Sequence, residues 1–169
     1  MKRTLGILAL FTVGLATPAL AKHEPITMVR VHQEAEVMAP PATVWTFMTT
    51  GKNFVTWCPE WKSSRNAAIN LTRVGDSVEY TDAWGNGGRS IVTYLVKAKE
   101  LRVAHEPAKG DYVCQAKFTL TPTAHGTMVR YWDQYSDESA PKDQDATAAK
   151  VEAEMTSTLA ALKQAVEKK

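Results

Sequence analysis

The sequence predicts an α+β domain: a curved antiparallel sheet of about seven strands around one long C-terminal helix, with two short helices after the first strand. Three observations predict it. Short segments of alternating apolar and polar residues recur from Val31 to Tyr135, separated by turn residues. The pair Pro40-Pro41 stops the first of them and is followed by apolar residues at helical spacing. From Ala146 to Lys169 there is neither Gly nor Pro, and one apolar stripe runs through Val151, Met155, Leu159, Leu162 and Val166.

The N-terminus stands apart. Lys2 and Arg3 precede an uncharged apolar run from Leu5 to Ala16, and Pro18 leads into Ala19-Leu20-Ala21. That order is the pattern of a secretory signal peptide cleaved after Ala21. The run falls short of the roughly 20 residues a membrane-spanning helix needs. A periplasmic or secreted domain of residues 22–169 is the expectation.

Residues 22–30 are a polar lead-in. Val31, Gln33, Ala35, Val37 and Ala39 form one face of the first strand, with His32, Glu34, Glu36 and Met38 on the other. Prolines 40 and 41 suit a helix start, where a missing N–H leaves no bond unmade. Val44, Trp45, Phe47 and Met48 then mark a helix ending at Gly51, and a second short turn spans Lys52 to Trp57 before Pro59. Six strands follow, at 66–74, 77–84, 91–97, 101–105, 112–120 and 127–135. Gly75-Asp76, Gly85-Asn86-Gly87-Gly88 and Pro122 to Gly126 supply turns between them. A polar linker from Ala140 to Asp145 leads to the final helix, whose Lys163, Lys168 and Lys169 sit where the helix dipole favours cations.

This order implies a hollow. A sheet of so many strands twists and curls. A single helix laid across its concave face touches along one line, and the space beside that line is where small-molecule sites form.

Four stretches of the sequence point to a family: Glu36-Val-Met-Ala-Pro-Pro-Ala-Thr-Val-Trp45, Trp57-Cys-Pro59, the Val74-Gly-Asp76 turn and Gly126-Thr-Met-Val-Arg130. Taken in order they resemble the START-like, or SRPBCC, superfamily, and in particular its polyketide cyclase/dehydrase and lipid-transport branch. The resemblance covers the chain from about Val31 to its end. It implies a helix-grip fold around a hydrophobic pocket and an apolar partner that is lipid-, quinone- or polyketide-like. It implies no single activity, since members also cyclise polyketides or hydroxylate aromatics.

The residue candidates divide by role. Trp57 and Trp61 flank Pro59 near the pocket entrance that the resemblance implies, and both suit a pocket wall, as bulky rings with a donor. Tyr80, Tyr94, Tyr112, Cys114, Tyr131 and Tyr135 from the strands, with Met155 and Leu159 from the helix, complete the expected lining. Trp45 and Phe118 read as core. The resemblance turns Val129 inward, which carries Tyr131, Asp133 and Tyr135 with it. An enclosed Asp133 would have a raised pKa and serve acid/base chemistry, with Tyr131 or His105 as its partner. The alternative is an Asp133 that is solvated, or paired with Arg130 or a lysine. His23, His32 and His125 are expected outside the pocket. Cys58 and Cys114 fit either a disulfide or two separate thiols.

Other classes are disfavoured. The chain carries 20 basic and 18 acidic residues. Without Lys2 and Arg3 the two signs balance, which leaves no electrostatic footprint for nucleic acid and at most transient membrane contact. Two cysteines with no histidine at ligand spacing make no zinc site. No nucleophile elbow or phosphate-cradling glycine motif is present, and no cofactor is expected.

Overall fold

The computed structural model describes residues 28–59, 61–64, 69–82, 85, 87–109, 113–136 and 144–168. The expected leader, the linker at 140–143 and Tyr112 lie outside them. Strand β1 (Met28–Val37) leads into helix α1 (Pro41–Thr49), a turn of 3₁₀ helix (Gly51–Asn53) and the short helix α2 (Phe54–Trp57). Strands β2 (Trp61–Ser64), β3 (Ser77–Asp82), β4 (Gly87–Val96), β5 (Glu100–Pro107), β6 (Val113–Pro122) and β7 (Thr127–Ser136) follow, and α3 (Gln144–Glu167) closes the chain.

The seven strands form one antiparallel sheet in the order β1-β7-β6-β5-β4-β3-β2. Every sequential pair from β2 to β7 is a neighbour, as in a meander, and β1 joins at the β7 edge. The segment from α1 to α2 therefore carries the chain from one edge of the sheet to the other. Helix α3 lies closest to β1 and α2, on the same face as α1.

One strand differs from expectation. Of the strand read at 66–74, residues 66–68 lie outside the described ones and 69–74 form no strand; β2 lies earlier, at 61–64, and residues 69–76 turn back on the first helix. Gly51 N–H donates to Ile69 O at 2.9 Å and Leu71 N–H to Thr49 O at 2.8 Å. The Asp76 carboxylate then accepts the Thr72 and Arg73 backbone N–H groups, both at 2.8 Å, which bends the chain at Gly75 (φ +91°). Those backbone bonds come first among the causes that hold the Asp76 pKa below its ordinary value. Local side-chain capture of the backbone has won over strand extension.

The buried faces follow the period of two. On β7, Thr127, Val129, Asp133 and Tyr135 are buried while Arg130 and Trp132 are exposed. On β6, Ala116, Phe118 and Leu120 are buried. Helix α3 presents Met155, Thr158, Leu159, Leu162 and Val166 to the interior. Its Lys163 does more than complement a dipole: Nζ donates to Glu36 O and to Glu167 Oε1, each at 2.7 Å, and the Glu167 carboxylate accepts Met38 N–H at 2.7 Å. These bonds fasten the last turns of α3 to the end of β1.

Candidate functional site

The strand registers stack the inward side chains in rungs. One rung runs Val78, Ser90, His105, Cys114, Tyr135 and Val29 across six strands. The next carries Val92, Val103, Ala116, Asp133 and Val31. A third holds Leu101, Phe118, Tyr131 and Gln33. The middle rung has short side chains, the third is aromatic at its centre, and the first is polar. The middle rung thus sets short side chains, Val92, Val103, Ala116 and Asp133, between taller rows, all of them buried.

The polar rung is connected. Ser90 Oγ and His105 Nδ1 are 2.6 Å apart, and the Cys114 thiol donates to Asp133 Oδ1 at 3.1 Å. Tyr80, also buried, stands edge-on to His105 with ring centroids 6.4 Å apart. Asp133 is 8% exposed, so the inward alternative holds and the solvated one does not. Arg130 pairs with Glu34 on the outer face instead. Burial raises the Asp133 pKa, and nearby Glu154 adds to the effect. Hydrogen bonds from the Cys114 thiol, the Gln134 backbone N–H and Tyr131 oppose it. Burial likewise pushes the Cys114 thiol well up, with the Asp133 charge adding, so the sulfur stays protonated. Neither cysteine is in a disulfide.

Burial lowers the His105 pKa from 6.5 to about 4, keeping the ring neutral. The unfolded chain thus takes up this proton first as pH drops. The stability that results is complete above about pH 6.5 and is lost as pH falls toward 4. The residue keeps some solvent contact, so we expect a loss of about 1–2 kcal/mol, below the roughly 3 kcal/mol of full enclosure. Asp133 acts in the opposite sense, because its raised pKa favours the folded state at low pH. The informative measurement is therefore urea unfolding across pH 4–7 for the wild type and His105→Phe side by side. The wild type should lose more stability on acidification; parallel curves would rule the mechanism out.

Around the aromatic rung, Phe118 and Tyr131 stack at 4.3 Å and Trp57 meets Phe118 edge-on at 5.7 Å. Trp57, on α2, is 2% exposed, and its Nε1 has no hydrogen-bond acceptor among the described residues. Met155 packs with Val31 and Tyr135, while Leu159 and Leu162 join the main core with Phe118.

Most of the lining candidates therefore share one face: Trp57, Tyr80, Cys114, Tyr131, Asp133, Tyr135, His105, Met155 and Leu159. Tyr94 does not. It is 43% exposed on the outer face with the Arg102 guanidinium 4.8 Å over its ring, because a register shift between Val92 and Tyr94 turns β4 over. The strand read at 101–105 runs on to Pro107 as β5, an internal strand, so His105 lies within it and not at its end. The Trp61 side chain lies outside the described residues. Ser90 is a site residue that the sequence does not single out: β4 begins at Gly87, ahead of the alternation that starts at Ile91.

The outer face has its own groove of about 300 Å³, lined among others by Arg30, Arg102, Gln115, Lys117 and Trp132. Trp132 is stacked on His32 at 4.6 Å and capped by Lys117. Val103, Ala116 and Asp133 of the middle rung also contribute to the lining of this groove.

With this geometry in place, comparison with known proteins is direct. A family model described as polyketide cyclase / dehydrase and lipid transport matches residues 28–167. The chain belongs to this family. Among solved structures, protein MLL2253 from Mesorhizobium loti is 21% identical, with a TM-score of 0.67 over 83% of this chain and 98% of that one. Ara h 8.0201 is 12% identical, with a TM-score of 0.65 over 85% of this chain and 100% of that one. DynU16, a protein of the dynemicin biosynthetic locus, is 22% identical, with a TM-score of 0.62 over 85% of this chain and 48% of that one. These structural likenesses show the helix-grip fold for this member of the polyketide cyclase/dehydrase and lipid-transport family. No curated protein matches the sequence.

Proposed function

We propose that this protein binds or carries a small apolar molecule between the concave face of its sheet and helices α2 and α3, and that it does so outside the cytoplasm. One observation carries the ligand reading: the short-side-chain rung Val92, Val103, Ala116, Asp133 lies between an aromatic row and a polar row on the inward face. Burial of apolar ligand surface there contributes about 25 cal/mol per Å² before ordering costs. The leader-like sequence before Ala21 supports export.

Native mass spectrometry of protein recovered from the periplasm of an expressing host tests both parts. A mass beginning at Lys22 with an extractable apolar adduct is the expected result. A retained leader would end the export reading. Absence of any adduct, together with failure to take up a neutral naphthylamine dye, would end the ligand reading.

A second reading is a cyclase or dehydratase-like enzyme. The observation favouring it is the convergence of Asp133, Cys114 and His105 on one wall, where the Cys114 thiol donates to the Asp133 carboxyl and His105 is the register neighbour of Cys114. Asp133→Asn and His105→Phe separate the readings: a carrier keeps dye affinity and loses nothing else, whereas an enzyme loses turnover of its adduct.

A further inference from the structure

We infer that the ligand is a neutral ring compound with a carbonyl or hydroxyl oxygen that accepts the Trp57 Nε1–H, and not a fatty acid or other anion. This rests on the ligand-binding reading and narrows it to a chemical class. Trp57 is 2% exposed, and its indole N–H has no acceptor among the described residues. A buried donor left unmade costs about 1–3 kcal/mol, and such groups are scarce enough in folded proteins that each one needs a reason. An oxygen on a molecule seated beside α2 supplies that reason.

The surroundings set the rest of the chemistry. Phe54, Trp57, Phe118 and Tyr131 form a chain of rings with centroids 4.3–5.7 Å apart. Flat aromatic walls favour a flat ligand, which stacks or meets them edge-on. Charge is excluded from both sides. Among the described residues no Lys or Arg is buried, so a carboxylate head would enter without a counter-charge and beside Asp133. An ammonium gains little, because the Asp133 carboxyl already accepts from the Cys114 thiol, Tyr131 and the Gln134 backbone N–H. A neutral acceptor is the chemistry that remains.

Three probes of one shape test this: naphthalene, methyl naphthyl ketone and naphthoate, each titrated into wild type and Trp57→Phe. The indole N–H resonance of Trp57, assigned by through-bond correlations in labelled wild type, should move downfield on adding the ketone, as a new hydrogen bond requires, and not with naphthalene. Trp57→Phe should weaken the ketone about fivefold to tenfold, the loss of roughly 1–1.4 kcal/mol, and leave naphthalene within about twofold. Naphthoate should bind at least about tenfold more weakly than the ketone. The resonance arm uses wild type alone, so it stands even if the variant folds poorly. A ketone that binds without moving that resonance, or naphthoate binding as tightly as the ketone, overturns the inference while leaving the ligand-binding reading intact. Failure of all three probes to bind overturns both.

Discussion

Gly126→Ala should destabilise the domain by about 3 kcal/mol, the upper part of the range for overpacking a filled site. A Cβ at Gly126 would press into the Val37 carbonyl oxygen, with Ala39 N at 2.9 Å and Met38 Cα at 3.0 Å. All three neighbours are backbone, so no rotamer change relieves the clash; β1 must separate from the β6–β7 turn. That turn is otherwise tightly bound. Thr123 Oγ1 accepts Gly126 N–H at 2.9 Å and donates to Glu36 Oε1, and Thr127 Oγ1 donates to Ala39 O at 2.6 Å. For a domain of this size the expected fall in Tm is about 6–12 °C. Gly75→Ala is the control. Its φ of +91° strains any side chain, but nothing lies within 4 Å of the new Cβ, so it should cost only about 1 kcal/mol. If the two variants unfold alike, the close approach of the turn to β1 is wrong.

The same turn shows what was legible in the sequence. Gly126-Thr-Met-Val-Arg130 carried part of the family resemblance, and the structure gives the physical reason for its first two residues: the glycine admits the β1 backbone, and the threonine bonds to it. Period-two alternation placed Val129, Tyr131, Asp133 and Tyr135 on one face because β7 is paired on both sides without interruption from Thr127 to Ser136. Where an irregularity intervened, alternation failed. The shift after Val92 sends Tyr94 outward, and no residue in Ile91 to Lys97 announces it. The segment from Ile69 to Asp76 failed for another reason: its partners are backbone atoms at the end of α1, a contact distant in sequence.

The site was half legible. Ring-bearing residues could be named individually, but the polar rung could not, since Ser90, His105 and Cys114 become neighbours only through the registers of three strands. The same holds for Ala116. A small residue in a strand is unremarkable until its rung is seen to contain Val92, Val103 and Asp133 as well. Buried orphans such as Trp57 Nε1 are invisible to sequence altogether, because a missing acceptor is a property of packing.

Leu162→Ala should cost about 2–5 kcal/mol in urea unfolding, and it tests how α3 grips the sheet. Leu162 is fully buried and belongs to the main core with Val37, Val129 and Leu120. Alanine is the better helix former, which offsets a few tenths of a kcal/mol at most. The remainder is lost transfer energy plus the cavity left behind, and its size reports how well the site can collapse. Gln164→Ala, exposed on the same helix, should change stability by less than about 0.5 kcal/mol. The two values together bear on the hollow. Leu162 directly precedes Lys163 and lies little more than one helical turn before Glu167, and the bonds of these two to Glu36 and Met38 fix that end of α3. A cost near the top of the range means the fixed end is packed like a protein interior. The proposed pocket is then covered by a firmly held helix. A cost below about 1 kcal/mol would mean that α3 rests loosely on the sheet, and the proposed pocket would be an open cleft with too little enclosure to hold an apolar guest.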